Sequence, residues 1–127
     1  MMDPINSLIF TMLQVSAMQE TTAPPGPEKK YFFLKLIGPR PNFAATMTEA
    51  EMKVMQEHGA YLTEYVDKGT LIVMGPVLDP KGAFGMAVFE AGSEDEVRAI
   101  IAKDPTTLPG LGFRWEISPM MRAVVRK

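Results

Sequence analysis

The sequence predicts one α+β domain of ferredoxin-like βαββαβ order, a four-stranded antiparallel sheet with two helices on one face. Three observations predict it. Four short runs rich in aromatic and branched residues alternate with two helix-length segments. A Thr/Ser-x-x-Glu capping box opens each helical segment, and a Pro/Gly turn joins the middle two runs into a hairpin. A chain of 127 residues suffices for one such domain with its own core, and right-handed crossovers place both helices on the same side.

Residues 1–27 stand apart from the domain at 28–127. Asp3-Pro4 reads as an N-cap and first helical residue, Ile5, Leu8, Ile9, Met12 and Leu13 recur at helical spacing, and Thr21 to Pro27 reads as a Pro-rich linker. Two readings stand side by side. One is an amphipathic helix lying on a partner subunit. The other is a degenerate secretory signal with Val15-Ser16-Ala17 as its cleavage site, although its start carries Asp3 and no basic residue. The first goes with the default cytoplasmic location, the second with export.

Within the domain, Tyr31 to Ile37 is the first strand, stopped by Gly38-Pro39. After a Pro-containing loop, Thr48-Glu49-Ala50-Glu51 starts a helix that runs to about Lys68-Gly69. Thr70 to Met74 is the second strand, continuing past Gly75-Pro76 to Val77-Leu78. Asp79-Pro80-Lys81-Gly82 turns the chain, and Ala83 to Glu90 returns as the third. Ser93-Glu94-Asp95-Glu96 opens a short second helix carrying Val97, Ile100 and Ile101, which Pro105 ends near Lys103-Asp104. The last strand starts at Phe113, with Phe113, Trp115 and Ile117 on one side.

Composition closes off several functions. At 46% hydrophobic and 22% charged residues the chain is globular rather than disordered. A net charge of −2 without a block of like charges offers no footprint for nucleic acid. No apolar run reaches the roughly 18–20 residues that span a bilayer. Cysteine is absent, which removes disulfides, thiolate nucleophiles and sulfur-bound zinc. A single histidine excludes multi-histidine metal sites within one chain. With no EF-hand, P-loop or dinucleotide loop, the expectation is a function without metal or cofactor.

The strands lack the alternation of a half-solvated sheet. Phe32, Leu34 and Leu36 point one way, Tyr31, Phe33 and Ile37 the other; Leu71 and Val73 oppose Ile72 and Met74; Phe84, Met86 and Val88 oppose Ala87 and Phe89. Helices cover one set. The other forms a patch larger than monomers usually expose, so a homodimer packed sheet on sheet is expected. The N-terminal helix folding back over the sheet is the alternative cover.

One pair of residues carries a chemical expectation. His58 lies mid-helix at the edge of a stripe made by Met52, Met55, Gly59, Leu62 and Val66. Asp104 follows the inward face of the second helix, set by Ile100 and Ile101. Side-by-side antiparallel helices allow the two to meet. A buried carboxylate accepting the Nδ1 proton raises the basicity of the other ring nitrogen, which then serves as general base or acid. The competing reading is a packed histidine and a helix-end aspartate. Arg40 is a candidate anchor for a planar anion, and Lys35 either lines the pocket or snorkels out of the dimer interface. Gly75 and Pro76 mark a bulge or an early strand end that shapes the cleft. Met52, Met55, Met74 and Met86 read as core filling.

Taken in order, the aromatic opening strand, His58 in the first helix, Gly75-Pro76 in the second strand, Asp104-Pro105, and Trp115-Glu116-Ile117 with Pro119 make the stretch from Tyr31 to about Val125 resemble the YCII-related family. The resemblance implies a dimeric α/β barrel, like that of muconolactone isomerases, with a His–Asp active site at each cleft. Here that pair is His58 and Asp104. It also implies cofactor-free lyase, dehydrohalogenase or isomerase chemistry on small cyclic or phenolic compounds. The N-terminal extension and the longer Pro39 to Met47 loop depart from the family and bear on pocket shape. The alternative function is a non-catalytic dimer that binds a small ligand or a protein. An antibiotic-biosynthesis-type monooxygenase on the same barrel is an analogy of architecture alone.

Overall fold

The computed structural model describes residues 28–127; the expected N-terminal helix or signal segment and the Pro-rich linker lie outside the described residues. The chain runs β1 (Lys30–Ile37), α1 (Phe43–Thr46), α2 (Glu49–Asp67), β2 (Leu71–Val77), β3 (Phe84–Ala91), α3 (Glu94–Ile101), a 3-10 turn (Pro105–Thr107) and β4 (Arg114–Pro119). The strands form one antiparallel sheet in the order β2-β3-β1-β4, as the βαββαβ reading expects. Phe32, Leu34 and Leu36 of β1 and Ala87, Phe89 and Ala91 of β3 are buried on one face. Leu62 of α2 and Val97 and Ile101 of α3 are buried with them. Each fully buried large side chain here contributes about 1.5–3 kcal/mol.

The helix boundaries follow local chemistry. Thr48 and Glu51 form the full reciprocal cap of α2: the Thr48 hydroxyl accepts from the Glu51 N–H and the Glu51 carboxylate accepts from the Thr48 N–H. Gly69, at φ +84°, turns the chain out of α2 in the left-handed region that suits glycine. At α3 the expected second box is half realised. The Ser93 hydroxyl accepts from Glu96 N–H, but the Glu96 carboxylate reaches one residue further back, to the Gly92 N–H.

Three expectations are corrected. The Pro-containing loop between Pro39 and Met47 contains the short helix α1, which a four-residue segment with no amphipathic period does not announce. The buried stripe of α2 is rotated: Met52 and Val66 are exposed, and the inward side follows Met55, His58, Leu62 and Tyr65. The irregularity of β2 sits at Ile72 rather than at Gly75-Pro76. Leu71 pairs with Phe89, yet Val73 pairs with Val88, so Ile72 is an extra residue. Beyond it the phase inverts: Met74 packs against the core and Val73 faces outward, half exposed. Pro76 is tolerated because β2 is an edge strand.

The other sheet face carries Phe33, Ile37, Val73 and Val88 together with Lys35 opposite Glu116 and a Tyr31 hydroxyl donating to Glu90 at 2.9 Å. After β4 the Met120 N–H bonds the Tyr31 carbonyl at 2.9 Å. Residues of this C-terminal segment border a shallow groove with Ile72, Val73 and Val88. Among the described residues no helix is long and apolar enough to cross a membrane.

Candidate functional site

His58 and Asp104 meet through the packing of α2 on the turn that follows α3. The Tyr61 hydroxyl donates to the Ile100 carbonyl at 2.6 Å, fastening α2 to the last turn of α3. Burial, and then the neighbouring Tyr65 hydroxyl, push the Tyr61 phenol above its ordinary range. Asp104 caps the 3-10 turn, with Pro105 at its first position and the Thr106 N–H donating to Oδ2 at 3.0 Å. Across the gap, His58 Nδ1 lies 2.9 Å from Oδ1 and 3.0 Å from Oδ2 of Asp104.

Donor directions in this cluster follow from chemistry alone. The Trp115 Nε1–H, a donor only, bonds Thr106 Oγ1 at 2.9 Å. The Thr106 hydroxyl therefore accepts from the indole and sends its own proton to Asp104 Oδ2, a short contact. The carboxylate is fully buried and takes two donors from Thr106. Buried carboxylates are stable where donors surround them, which makes His58 Nδ1 the third donor. Nε2 is then the ring nitrogen without a protein partner among the described residues.

His58 lines a cavity of about 330 Å³ at one end of the sheet, at the lower end of the size range for small-molecule sites. Leu36, Ala87 and Trp115 form its floor, α2 contributes Met55 and Leu62, and α1 with its flanks closes one side through Phe43, Ala44 and Met47. Small residues, Gly38, Gly75, Ala83 and Gly85, make up part of its border. Gly38 also permits the approach of α1, since a Cβ there would meet the Phe43 side chain at 2.8 Å. Phe43 in turn packs edge-on against Phe113, ring centroids 5.1 Å apart. His58 and Trp115 lie side by side, centroids 5.9 Å apart.

Of the six residues singled out in the sequence, His58 and Asp104 are in contact, and Gly75 and Pro76 line the same cavity. Arg40 and Lys35 are not part of it. Arg40 is turned to Glu51, donating from Nη2 at 2.7 Å and Nη1 at 3.0 Å, and its Nε donates to Thr46 Oγ1 at 2.8 Å. The guanidinium, with the Thr48 N–H, holds the Glu51 carboxyl down at about 2. Lys35 projects from the opposite sheet face, its Nζ 4.5 Å from the Phe84 ring centroid. Thr106 went unnoticed, although Asp104-Pro105-Thr106 carries the cap-then-proline signal of a turn that aims its third residue back at the aspartate. Among the described residues no group of three acidic or histidine side chains is placed to hold a metal ion.

A family profile for the YCII-related domain matches residues 31–121. The uncharacterized protein TM1266 from Thermotoga maritima has a similar structure, with a TM-score of 0.45 and 14% identity, covering 73% of this chain and 99% of that one. No curated protein matches the chain.

Proposed function

Because the chain belongs to the YCII-related domain family, we propose that it is a cofactor-independent enzyme in which His58 transfers a proton on a small cyclic or phenolic substrate while Asp104 orients the imidazole. The contact of the single histidine with a buried carboxylate at the wall of an apolar cavity carries this reading. An imidazole whose Nδ1–H is held by an anion presents a basic Nε2 to the molecule beside it. The apolar walls keep water from competing for the proton. In the forward step a substrate C–H or O–H proton passes to Nε2, and the imidazolium so formed is stabilised by Asp104. In an isomerisation the same proton returns to another atom of the substrate. In an elimination a leaving group departs with its electron pair, and the imidazolium later releases its proton to water. Neither course needs an oxidant or reductant.

The working unit in this proposal is a homodimer joined through the sheet face that carries Phe33, Ile37, Val73 and Val88. A stable interface of this kind covers about 800 Å² on each partner.

Deuterium exchange tests the chemistry. The purified chain is incubated in heavy water with a ring-sized ligand that binds and carries an acidic carbon-bound proton, and loss of that C–H signal is followed by NMR. Wild type exchanges it; His58→Ala binds the ligand but exchanges it roughly 10²–10⁴-fold more slowly. Binding without exchange in wild type would leave a ligand-binding dimer and refute catalysis.

A further inference from the structure

We infer that the site takes a neutral, largely apolar molecule of roughly one or two rings and turns away carboxylated and phosphorylated compounds. The inference rests on the His58 reading and adds the substrate's chemical class to it.

Charge decides the matter. His58 is the one titratable side chain among the residues lining the cavity. An anion entering it would lose its water and find no dedicated cation. Arg40, on the segment that leads into the α1 wall, lies behind Phe43, its Cζ 5.4 Å from that ring's centroid, with its guanidinium in a bidentate pair with Glu51. That carboxylate, held at about 2, stays ionised at any ordinary pH and so remains a partner for the guanidinium. Lys35 is not among the lining residues; its Nζ lies 4.5 Å from the ring centroid of Phe84, behind that part of the cavity border. His58 itself does not make up the deficit, because Asp104 lies directly behind it. The pair is neutral at most when the ring is protonated and negative when it is not. A substrate carboxylate therefore meets a zero or negative net charge in a poorly hydrated site, where an unpaired ion is strongly disfavoured.

The walls state what is welcome instead. Met47, Met55 and Met74 face Phe43, Phe113 and Trp115 around the space. Thioethers and aromatic edges are polarisable and pack well against a flat ring. A ring bearing one hydroxyl or one acidic C–H satisfies the single polar demand of the cavity, a donor for His58 Nε2, and leaves no charge stranded.

Matched ligand pairs test this by calorimetry on the full chain: 2-naphthol against 2-naphthoate, and cyclohexanone against cyclohexanecarboxylate. The neutral member of each pair is expected to bind at least about tenfold more tightly. Met47→Lys, which sets a cation at the cavity wall, is expected to narrow or reverse that ratio, while Lys53→Met, at an exposed position of α2 outside the cavity, leaves it unchanged. Carboxylates that bind wild type as well as or better than their neutral partners would overturn the inference, as would a failure of every neutral member to bind. Proton transfer is read separately, by deuterium exchange at the α-carbon of cyclohexanone, so catalysis and ligand class fail independently.

Discussion

Replacing Thr106 by valine keeps the side chain's shape and removes one oxygen that serves two partners. Oγ1 donates to the buried carboxylate of Asp104, and a hydrogen bond to a charged group is worth about 1.5–3 kcal/mol. It also accepts from the Trp115 indole, whose loss costs about 1 kcal/mol more. The Thr106 N–H remains in place to hold Oδ2. Thr106→Val is therefore expected to lose about 2–4 kcal/mol of a total stability of roughly 5–15. The assay is urea unfolding followed by circular dichroism, read as a lower midpoint at unchanged slope. Trp115→Phe removes the other end of the same bond, so the double variant should fall short of the sum of the singles by about 1 kcal/mol. A loss below about 0.5 kcal/mol for Thr106→Val, or strict additivity with Trp115→Phe, would refute the donor assignments around Asp104 and with them the argument that His58 Nδ1 carries the proton.

The Glu51 carboxyl titrates lower in the folded chain than its ordinary 4.5, reaching about 2. Its contribution to stability is thus complete above the ordinary value and disappears as pH falls from about 4.5 through about 2. Melting curves of wild type and Glu51→Gln should differ at neutral pH and converge across that window. Gly38→Ala drives a methyl group into the Phe43 ring; it should cost about 1–3 kcal/mol and weaken ligand binding by displacing α1, with thermal melts and calorimetry as readouts. Val88→Asp places a charge on the proposed dimer face, so light scattering should register the mass of one chain for the variant and of two for wild type.

Where local rules agree with the tertiary outcome, the sequence was legible. The aromatic run at Tyr31, the Thr48–Glu51 cap and the Pro80–Gly82 turn each state their element in a few residues, and together they lead to the strand order observed. The His58–Asp104 contact was reachable for the same reason, since each residue sits on an inward face of its own helix or just after it. What was missed depends on neighbours distant in the chain. The periodicity of α2 admits two apolar stripes about one position apart, and packing against Ile100 and the 3-10 turn selects the one containing His58 and Tyr61. Arg40 is a loop arginine with many anions within reach, and only the folded placement of α1 delivers it to Glu51. Gly75-Pro76 is the obvious candidate for an irregularity in the sequence of β2, whereas an edge strand accommodates proline without one.

The extra residue at Ile72 gives the edge strand slack. Deleting it would let Leu71 and Val73 follow one another in regular alternation, with Met74 still over Ala87 and Pro76 still over Gly85. Insertion of a second residue has no such reserve to draw on and would swing Met74 away from the cavity. The wall that β2 lends to the site can thus survive a one-residue shortening at this point, and the cavity's outline is insured against one kind of length change and open to reshaping by the other.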